Sequence, residues 1–284
     1  MFPPAFVDRM KKLGLDISIY EKYPRKSVHI LKNEEKIVNM FKLKPVPWAD
    51  HCFFVDEPRK IQDQYYDSVF IQDPASVVPV LALNVEDCHV VDLCAAPGSK
   101  TLHLVREAQY VVANDSHRNR VRRLQHNMRR FRVENCVILR EDGRNVHLNE
   151  KVDRVLVDAP CTGEGIVRKI HKAMKLWSLK RVNLLSRIQK QLILNGLSLL
   201  KEEGILVYST CTFAPEENEG VVDYVLKKRK VNLEQVSIDN LTCIPGLTAW
   251  KKREYNPVLK KTLRVYPFHN CSNGFFVAKF KKLR

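Results

Sequence analysis

Two cysteines stand just beyond apolar runs that have the composition of buried strands. Cys161 follows DRVLVDAP (153–160), and Cys211 follows GILVYST (204–210). Because ligands bind beyond the carboxyl ends of strands in α/β sheets, both thiols should face one cleft if these two strands are neighbours. A single cysteine in such a place is more often small core filler. The pair, with Asp158 close to one of them, favours nucleophilic catalysis by a thiol.

The reaction that needs these groups is methylation of a pyrimidine carbon. C5 of cytosine is a poor nucleophile, and a thiolate that adds at C6 makes C5 able to attack a sulfonium methyl group. Asp158 can hydrogen-bond to N3 or protonate it, provided that a closed site raises the pKa of its carboxyl. Lys100 and nearby helix starts would favour the thiolate. Loss of the C5 proton and expulsion of the thiol give a second cysteine a role, and the residues alone leave open which cysteine attacks.

Three successive apolar runs end in residues suited to a nucleoside cofactor. DLCAAPGSKT (92–101) follows the first run, and its small residues let a ligand approach the backbone at a helix start. Asp115 ends the second run, 17 residues after Gly98, where a carboxylate can accept both hydroxyls of a ribose. Asp142 ends the third run, where it can face an adenine amino group. Each feature alone also fits an ordinary turn or helix cap, but three at the same end of a sheet predict a nucleoside cofactor.

Short apolar runs alternate with helical segments from about residue 88 onward. This alternation predicts an α/β domain with a mostly parallel sheet and helices on both faces. The five predicted strands of the parallel part cover 89–93, 110–115, 136–142, 153–160 and 204–210. Two further strands are predicted over 262–268 and 274–282.

Two long helices are predicted between and after the last parallel strands. The first covers 176–200, where Leu184, Leu185, Ile188 and Leu192 recur on one face. The second covers 215–229, with proline and glutamates in its first turns and basic residues at its end, an arrangement that complements the helix dipole.

The composition indicates a polyanionic partner. The net charge is +16, and an excess this large favours nucleic acid over a membrane surface. No stretch approaches the ~20 apolar residues of a membrane span, and the start of the sequence lacks a signal-peptide segment, so we expect no export. The eight cysteines are scattered and form no CxxC pair, so we expect reduced thiols and no metal site. Basic runs occur at 118–123, 129–132 and 227–230.

Five stretches together resemble the Sun/Nop (NSUN-type) family of S-adenosylmethionine-dependent RNA cytosine-C5 methyltransferases. They are QDPAS (72–76), DLCAAPGSKT (92–101), DRVLVDAPCTGEG (153–165), YSTCTFAPEENE (208–219) and VYPFHNCSNGFFVAK (265–279). The resemblance covers nearly the whole chain, and the paired PC and TC motifs are specific. It implies a class I (Rossmann-like) methyltransferase fold with a seven-stranded, mostly parallel sheet. It also implies a small α+β RNA-recognition-like module over residues 1–78, before a catalytic domain over 79–284.

The resemblance also implies a role for individual residues. Cys211 matches the nucleophile and Cys161 the cysteine that helps to release the product, whereas the Pro-Cys nucleophile of DNA cytosine methyltransferases would point to Cys161. Asp158 lies nearest the target base, and Lys100 completes the expected catalytic set. The positions that match cofactor contacts are Cys94, Ala95, Ala96, Pro97, Gly98, Ser99, Lys100, Asp115, Arg120, Asp142 and Asp158.

The expected cofactor is S-adenosyl-L-methionine, and the expected partner is RNA. We favour tRNA because the sequence shows no additional RNA-binding insert or long charged tail, with large-subunit rRNA and ribosome assembly as the alternative. A non-catalytic RNA-binding or assembly factor is the alternative of another class, and the intact catalytic set argues against it. A DNA methyltransferase would need a large target-recognition segment after the fourth strand, which the sequence does not show. We expect a monomer in the cytoplasm, or in the nucleus or nucleolus if the source is eukaryotic.

Overall fold

A small antiparallel sheet lies near the amino end of the protein. The computed structural model describes residues 2–21, 24–166 and 170–284. The strand order is β2-β3-β1-β4 with every pair antiparallel, and the β-α-β-β-α-β succession is that of ferredoxin-like folds. The elements are α1 (Pro4–Lys12), β1 (Lys26–Ile30), α2 (Glu34–Phe41), β2 (Lys44–Val46), β3 (Ala49–Val55), α3 (Pro58–Gln64) and β4 (Val69–Gln72).

The rest of the chain forms a large mixed sheet with its helices. Its first elements are α4 (Val78–Leu83), β5 (His89–Asp92), α5 (Ser99–Glu107), β6 (Tyr110–Asn114), α6 (Arg118–Arg130) and β7 (Cys136–Leu139). The centre of the sheet and its helices follow as β8 (Val152–Asp158), α7 (Ile170–Met174), α8 (Leu179–Leu199), β9 (Leu200–Thr210) and α9 (Glu219–Lys228). The last elements are β10 (Val231–Glu234), β11 (Ile244–Pro245), β12 (Ala249–Trp250), β13 (Arg253–Glu254), β14 (Leu263–Val265), α10 (Pro267–Asn270) and β15 (Phe275–Lys282).

The strand order confirms the predicted α/β fold and brings the two cysteine-bearing strands together. The order is β11-β14-β15-β9-β8-β5-β6-β7, and β5 to β9 are mutually parallel. The resemblance implied seven strands, and the described residues form nine. The short β11 adds to one edge, and β10 pairs with the part of β15 that β14 does not reach.

Alternating side chains bury both faces of the large sheet. On β8, Val155 and Val157 pack against α8 and α9, whereas Leu156 faces the opposite layer of α4, α5 and α6. On β9, Leu206 likewise faces the layer of α8 and α9, and Val207 faces the layer of α4, α5 and α6. Such two-sided burial is typical of parallel strands covered by helices, and it leaves the ends of the strands as the place for a site.

The predicted long helix is present, but its apolar face is rotated. Ser178 caps α8 by accepting a hydrogen bond from the backbone N–H of Arg181. Leu185 and Leu192 are buried, whereas Leu184 is 54% exposed. The prediction that Leu184 belongs to the buried face was therefore wrong, since the core-facing stripe passes through polar Gln189 instead.

The amino-terminal helix packs against the carboxyl-terminal part of the chain and not against the small sheet. Phe6 and Met10 of α1 share a buried cluster with Trp177, Phe213 and Tyr266. Within the described ranges, no helix is long and apolar enough to cross a membrane. Among the same residues, no group of three or more histidine, cysteine or carboxylate side chains could hold a metal ion.

A fully buried ion pair fixes the segment that follows β9. Arg264 on β14 donates from Nε and Nη2 to the two carboxylate oxygens of Glu219, at 2.7 and 2.6 Å. Its Nη1 donates to the carbonyl of Phe213 at 3.1 Å. Both side chains are almost completely shielded from solvent. Because a buried charge without its partner is strongly unfavourable, this pair anchors the start of α9 to the sheet.

We expect Arg264→Met to lower the free energy of unfolding by about 3–5 kcal/mol, because it leaves the Glu219 carboxylate buried without its partner. Urea denaturation of the purified variant measures this change. The double variant Arg264→Met/Glu219→Met should recover much of the loss, since it removes both charges. Lys281→Met, which breaks the exposed pair with Glu203, is the matched control and should unfold close to the wild type. A single variant as stable as this control would contradict the anchoring role.

Candidate active site

The structure brings the two predicted cysteines into direct contact. Cys161 follows β8 and Cys211 follows β9, which pair in parallel, and their Sγ atoms lie 3.2 Å apart as free thiols. The hydrogen bond to Cys211 is the largest influence that raises the pKa of Cys161 well above its ordinary value, and burial adds to it. Either sulfur can donate in this contact, but the surroundings of the two thiols differ, because Cys211 lines the larger cavity described below and Cys161 does not.

A partly buried ion pair lies close to the thiols. Lys100, from the first turn of α5, donates from Nζ to Asp158 Oδ2 at 2.7 Å, and Ser209 on β9 donates to Asp158 Oδ1 at 2.7 Å. Burial alone would lower the pKa of Lys100, but the Asp158 carboxylate raises it overall, and a negative charge on Cys211 raises it further. The ammonium group is therefore held charged, where it favours a thiolate at Cys211.

The Glu217 carboxyl joins the loops that carry the two cysteines. It is completely buried, and Oε2 accepts hydrogen bonds from the backbone N–H of Thr162 and from Gln189. Its Oε1 lies 2.5 Å from the hydroxyl of Thr162, which in turn lies 2.8 Å from the hydroxyl of Thr212. These two threonines directly follow the two cysteines. Burial raises the pKa of Glu217 to about 8, so at neutral pH the group is a neutral acid. The Thr162 hydroxyl donates to Oε1 when the carboxyl is ionised, and the neutral acid can donate in the opposite direction.

The Asn218 side chain holds the residues on both sides of the nucleophile candidate. Its Oδ1 accepts a hydrogen bond from the hydroxyl of Thr210 at 2.6 Å, and its Nδ2 donates to the carbonyl of Thr212 at 2.9 Å. Asn218 is completely buried. This bridge fixes the sharp turn on which Cys211 stands.

The acidic segment after Cys211 does not form the helix start predicted for it. The prediction placed Pro215 and all three glutamates in the first turns, but α9 begins only at Glu219. Glu216 pairs instead with Arg9 of α1, at 2.6 and 3.0 Å, while Glu217 and Glu219 have the partners described above. The three carboxyl groups connect three different parts of the protein. The sequence held one signal for these missed residues. Three acids and an asparagine stand within four positions, 216–219, which is more than one helix start needs for its cap.

A cavity of about 460 Å³ beside the thiols is suited to a nucleoside cofactor. Asp115 and Asp142 both line it, as predicted from their places at the ends of β6 and β7. Asp115 Oδ2 is buried and has no hydrogen-bond donor, although Arg120 lies 3.1 Å away as an ion pair. Arg144 donates to both oxygens of Asp142 and lowers the pKa of that carboxyl. The free acceptor capacity of Asp115 fits the hydroxyls of a ribose, so the residues present fit S-adenosylmethionine.

The remaining predicted cofactor residues divide between this cavity and its surroundings. Cys94 and Arg120 line the cavity. Gly98 has a φ of +108°, and a Cβ there would lie 2.9 Å from Met128, so the turn requires glycine. The residues of this turn that lie outside the cavity lining are Ala95, Ala96, Pro97, Gly98, Ser99 and Lys100, and Asp158 also lies outside it.

A second and larger cavity, of about 990 Å³, lies between the two sheets, and Cys211 is part of its lining. We call this cavity the cleft. Pro97 and Phe275 line it from the large sheet, and Gln72 lines it from β4. The small sheet is fixed in place there because Gln72 Oε1 accepts hydrogen bonds from Ser99 and contacts His103 at 3.1 Å. The lining contains four cationic residues and three carboxylates: Arg25, Lys26, Arg59 and Lys60, and Asp56, Glu57 and Asp73.

The contact between the two sheets also contains a stacked histidine pair. The rings of His29 and His103 lie 3.7 Å apart and nearly parallel. Burial lowers the pKa of His103 to about 3 and that of His29 well below its ordinary value. Both rings are neutral at physiological pH, so the two sheets pack here through uncharged stacked rings. This packing helps to fix the width of the cleft.

The fold and the site define a class I methyltransferase. The chain matches the model of the 16S rRNA methyltransferase RsmB/F family over residues 78–281. It belongs to this family, which confirms the resemblance seen in the sequence.

Relatives and solved structures agree with this assignment. The chain is 37% identical over 261 residues to a tRNA (cytosine(49)-C(5))-methyltransferase of Pyrococcus abyssi, covering 86% of this chain and 81% of that protein. It is also 37% identical over 221 residues to the 28S rRNA (cytosine(4447)-C(5))-methyltransferase of Homo sapiens, covering 75% of this chain and 27% of that protein. A crystal structure of a methyltransferase homolog from Pyrococcus horikoshii superimposes with a TM-score of 0.81 at 28% identity, covering 99% and 100% of the two chains.

We expect Glu217→Gln to remain active, because glutamine can reproduce the hydrogen bonds of the neutral acid. The folded wild type holds the Glu217 proton to about pH 8, whereas the unfolded chain loses it near the ordinary value of about 4.3. The wild type should therefore lose stability relative to Glu217→Gln as the pH rises from about 4 to about 8. Urea denaturation of both proteins across this range measures the difference.

Glu217→Ala is the contrasting variant, because it removes the carboxyl and leaves its donors unsatisfied. We expect a loss of about 3 kcal/mol of stability, together with loss of methyl transfer. Equal behaviour of the alanine and glutamine variants, or a pH-independent difference between Glu217→Gln and wild type, would contradict a neutral bridging acid.

Proposed function

We propose that this protein transfers a methyl group from S-adenosylmethionine to C5 of a cytosine in RNA. The observation that carries the proposal is the pair of thiols 3.2 Å apart close to the Lys100–Asp158 pair. Such an arrangement suits addition of a thiol to a pyrimidine ring and its later removal. The names of the relatives support RNA cytosine as the target.

The cofactor, when bound in the 460 Å³ cavity, supplies a methyl group on a sulfonium centre. Asp115 and Asp142 would hold it there, with Cys94 at the wall of the cavity. The roles of the protein residues concern the base. Cys211 Sγ adds to C6, and Asp158, bonded to Lys100 and Ser209, holds N3. Because N3 and a carboxylate oxygen both accept hydrogen bonds, this contact needs a proton, which the Lys100 ammonium, 2.7 Å from the carboxylate, would pass through Asp158 to N3. In the sequence analysis Asp158 was itself the expected acid, whereas here the proton comes from Lys100.

The release step falls to Cys161. After the methyl group is in place, the C5 proton passes to solvent, the electrons of the C5–H bond restore the C5–C6 double bond, and Cys211 leaves C6 as a thiolate. The Cys161 thiol lies in contact with the departing sulfur and keeps its proton because the pKa is raised. It is therefore placed to hydrogen-bond to the Cys211 thiolate and stabilise it as the base leaves. Cys211 lines the large cavity and Cys161 does not, which supports Cys211 as the nucleophile, a choice that the residue pattern alone left open.

We propose tRNA as the substrate, with residues 1–78 as the module that places it. The archaeal tRNA enzyme matches this chain over 261 residues at 37% identity, and the mammalian 28S rRNA enzymes match it over 221 residues. Large-subunit rRNA is the second candidate, since relatives named for it share 37% identity. The ferredoxin-like sheet, and the four cationic residues that this module contributes to the cleft, support an RNA role for the first module.

Incubation of the protein with labelled S-adenosylmethionine and unmodified RNA should yield 5-methylcytosine. Bisulfite sequencing of tRNA and of rRNA then maps the modified cytosine. We expect sites in tRNA, and sites in rRNA alone would transfer the assignment to the second candidate. No 5-methylcytosine in either RNA, with a folded protein, would overturn the proposed activity and favour a non-catalytic assembly factor.

The roles of the two cysteines predict opposite behaviour of their alanine variants. Cys161→Ala should accumulate a covalent protein–RNA adduct, because addition proceeds and release fails. Cys211→Ala should form neither adduct nor product. Denaturing gel electrophoresis with labelled RNA distinguishes them, and Cys243→Ala, a free cysteine outside the lining of both cavities, is the matched control. An adduct with Cys211→Ala and none with Cys161→Ala would show that the roles are exchanged.

A further inference from the structure

Helix α6 carries an arginine-rich surface that the catalytic site does not use. Between Ser116 and Val133 the sequence contains seven arginines and no aspartate or glutamate. Two of the seven contact residues outside the helix: Arg120 pairs with Asp115, and Arg130 donates to the carbonyl of Val69. The other five are exposed, four of them on the helix and Arg132 just after its end, and we call them together the α6 arginine face: Arg118, Arg122, Arg123, Arg129 and Arg132.

This face carries uncompensated positive charge. Of the ion pairs among the described residues, the one that involves an α6 arginine is that of Arg120. At 100° per residue, Arg118, Arg122 and Arg129 lie within about 40° of one another around the helix. Like charges four residues apart destabilise a helix, so the face imposes a cost on the folded protein. A polyanion bound across it would turn that cost into binding energy.

The chemistry and the length of the face fit the backbone of a nucleic acid. All five groups are arginines, whose planar guanidinium donates two parallel hydrogen bonds to a phosphate. From Arg118 to Arg129 the helix extends about 16 Å. Since backbone phosphates repeat over much shorter distances, this length spans several of them.

The position of α6 places the face next to the substrate cleft. Asn127 donates to the carbonyl of Pro97 at 2.8 Å, and Pro97 lines the cleft. On the same helix, the His126 ring contacts the hydroxyl of Tyr66 at 2.7 Å. The helix is therefore fixed between the cofactor turn and the small sheet. An RNA with its target cytosine at Cys211 would have to pass near α6 if it is larger than the cleft.

We propose that the α6 arginine face binds backbone phosphates of the substrate RNA outside the target nucleotide. The inference rests on the proposed function in taking RNA as the polyanion. It assigns to the methyltransferase domain a second RNA contact, separate from the small sheet and from the cleft. Because phosphates carry no sequence information, this contact orients the folded body of the RNA and does not select the cytosine.

The test compares Arg118→Ala/Arg122→Ala/Arg129→Ala with Lys228→Ala/Arg229→Ala/Lys230→Ala. The control removes the same charge from the far end of α9. Binding of a tRNA transcript is measured by fluorescence anisotropy at several salt concentrations. We expect the α6 variant to bind about tenfold more weakly and to lose about 2 from the slope of log Kd against log salt. The control should resemble the wild type, and Arg118→Lys/Arg122→Lys/Arg129→Lys should keep the wild-type slope.

Two further measurements separate this proposal from the catalytic one. A short single-stranded oligonucleotide that contains the mapped cytosine should be methylated by the α6 variant within about twofold of wild type, because it does not reach α6. The melting temperature of the variant should equal or exceed that of wild type, since helix repulsion is reduced. An unchanged tRNA affinity and slope would overturn the proposal and favour an acidic protein as partner. Loss of oligonucleotide methylation in the variant alone would also overturn it, whereas its absence in wild type would count against the proposed function.

Discussion

The contact between the two cysteines depends on one neutral carboxyl group. Glu217 binds the loop after β8 through Thr162, and through Thr162 it reaches Thr212 in the loop after β9. A charged carboxylate without a counter-ion would be costly at this depth, so the group keeps its proton. As a neutral acid it both accepts and donates, which lets one side chain fix two chain segments. The distance between the two thiols is thus set by the residues behind them, Glu217, Thr162 and Thr212, and not by residues that line the cleft.

Around this bridge, the segment from Cys211 to Glu219 is held by partners from distant parts of the chain. Arg9 comes from the first helix, Gln189 from the middle of α8, and Arg264 from β14. Each partner neutralises or satisfies a different carboxyl group, so none of the three glutamates is left buried without a donor. Catalysis by a thiol demands tight placement of the sulfur, and the fold supplies it through buried polar bonds that are strong because water is excluded.

The sequence predicted the parts of the structure that follow from local periodicity. The parallel strands, the places of Asp115 and Asp142 at strand ends, and the meeting of Cys161 with Cys211 all follow from apolar runs and from the geometry of α/β sheets. It did not predict the inward direction of Glu216 and Glu217, because acids after a proline also fit a helix start. The direction of Leu184 was missed because α8 buries polar Gln189 as a partner of Glu217. In both cases a tertiary hydrogen bond, invisible to periodicity, decided which side chain turned inward.

The place of β15 in the sheet has a consequence for how the protein is made. This strand lies between β9 and β14, yet 64 residues, 211–274, separate it from β9 in the chain. At a synthesis rate of about 5–20 residues per second, the open edge of β9 would wait roughly 3–13 s for its neighbour. An unpaired apolar edge invites association with other chains during that time. The half of the sheet that holds the cofactor can assemble early on the ribosome, but the strand that carries Cys211 is completed only when β15 arrives.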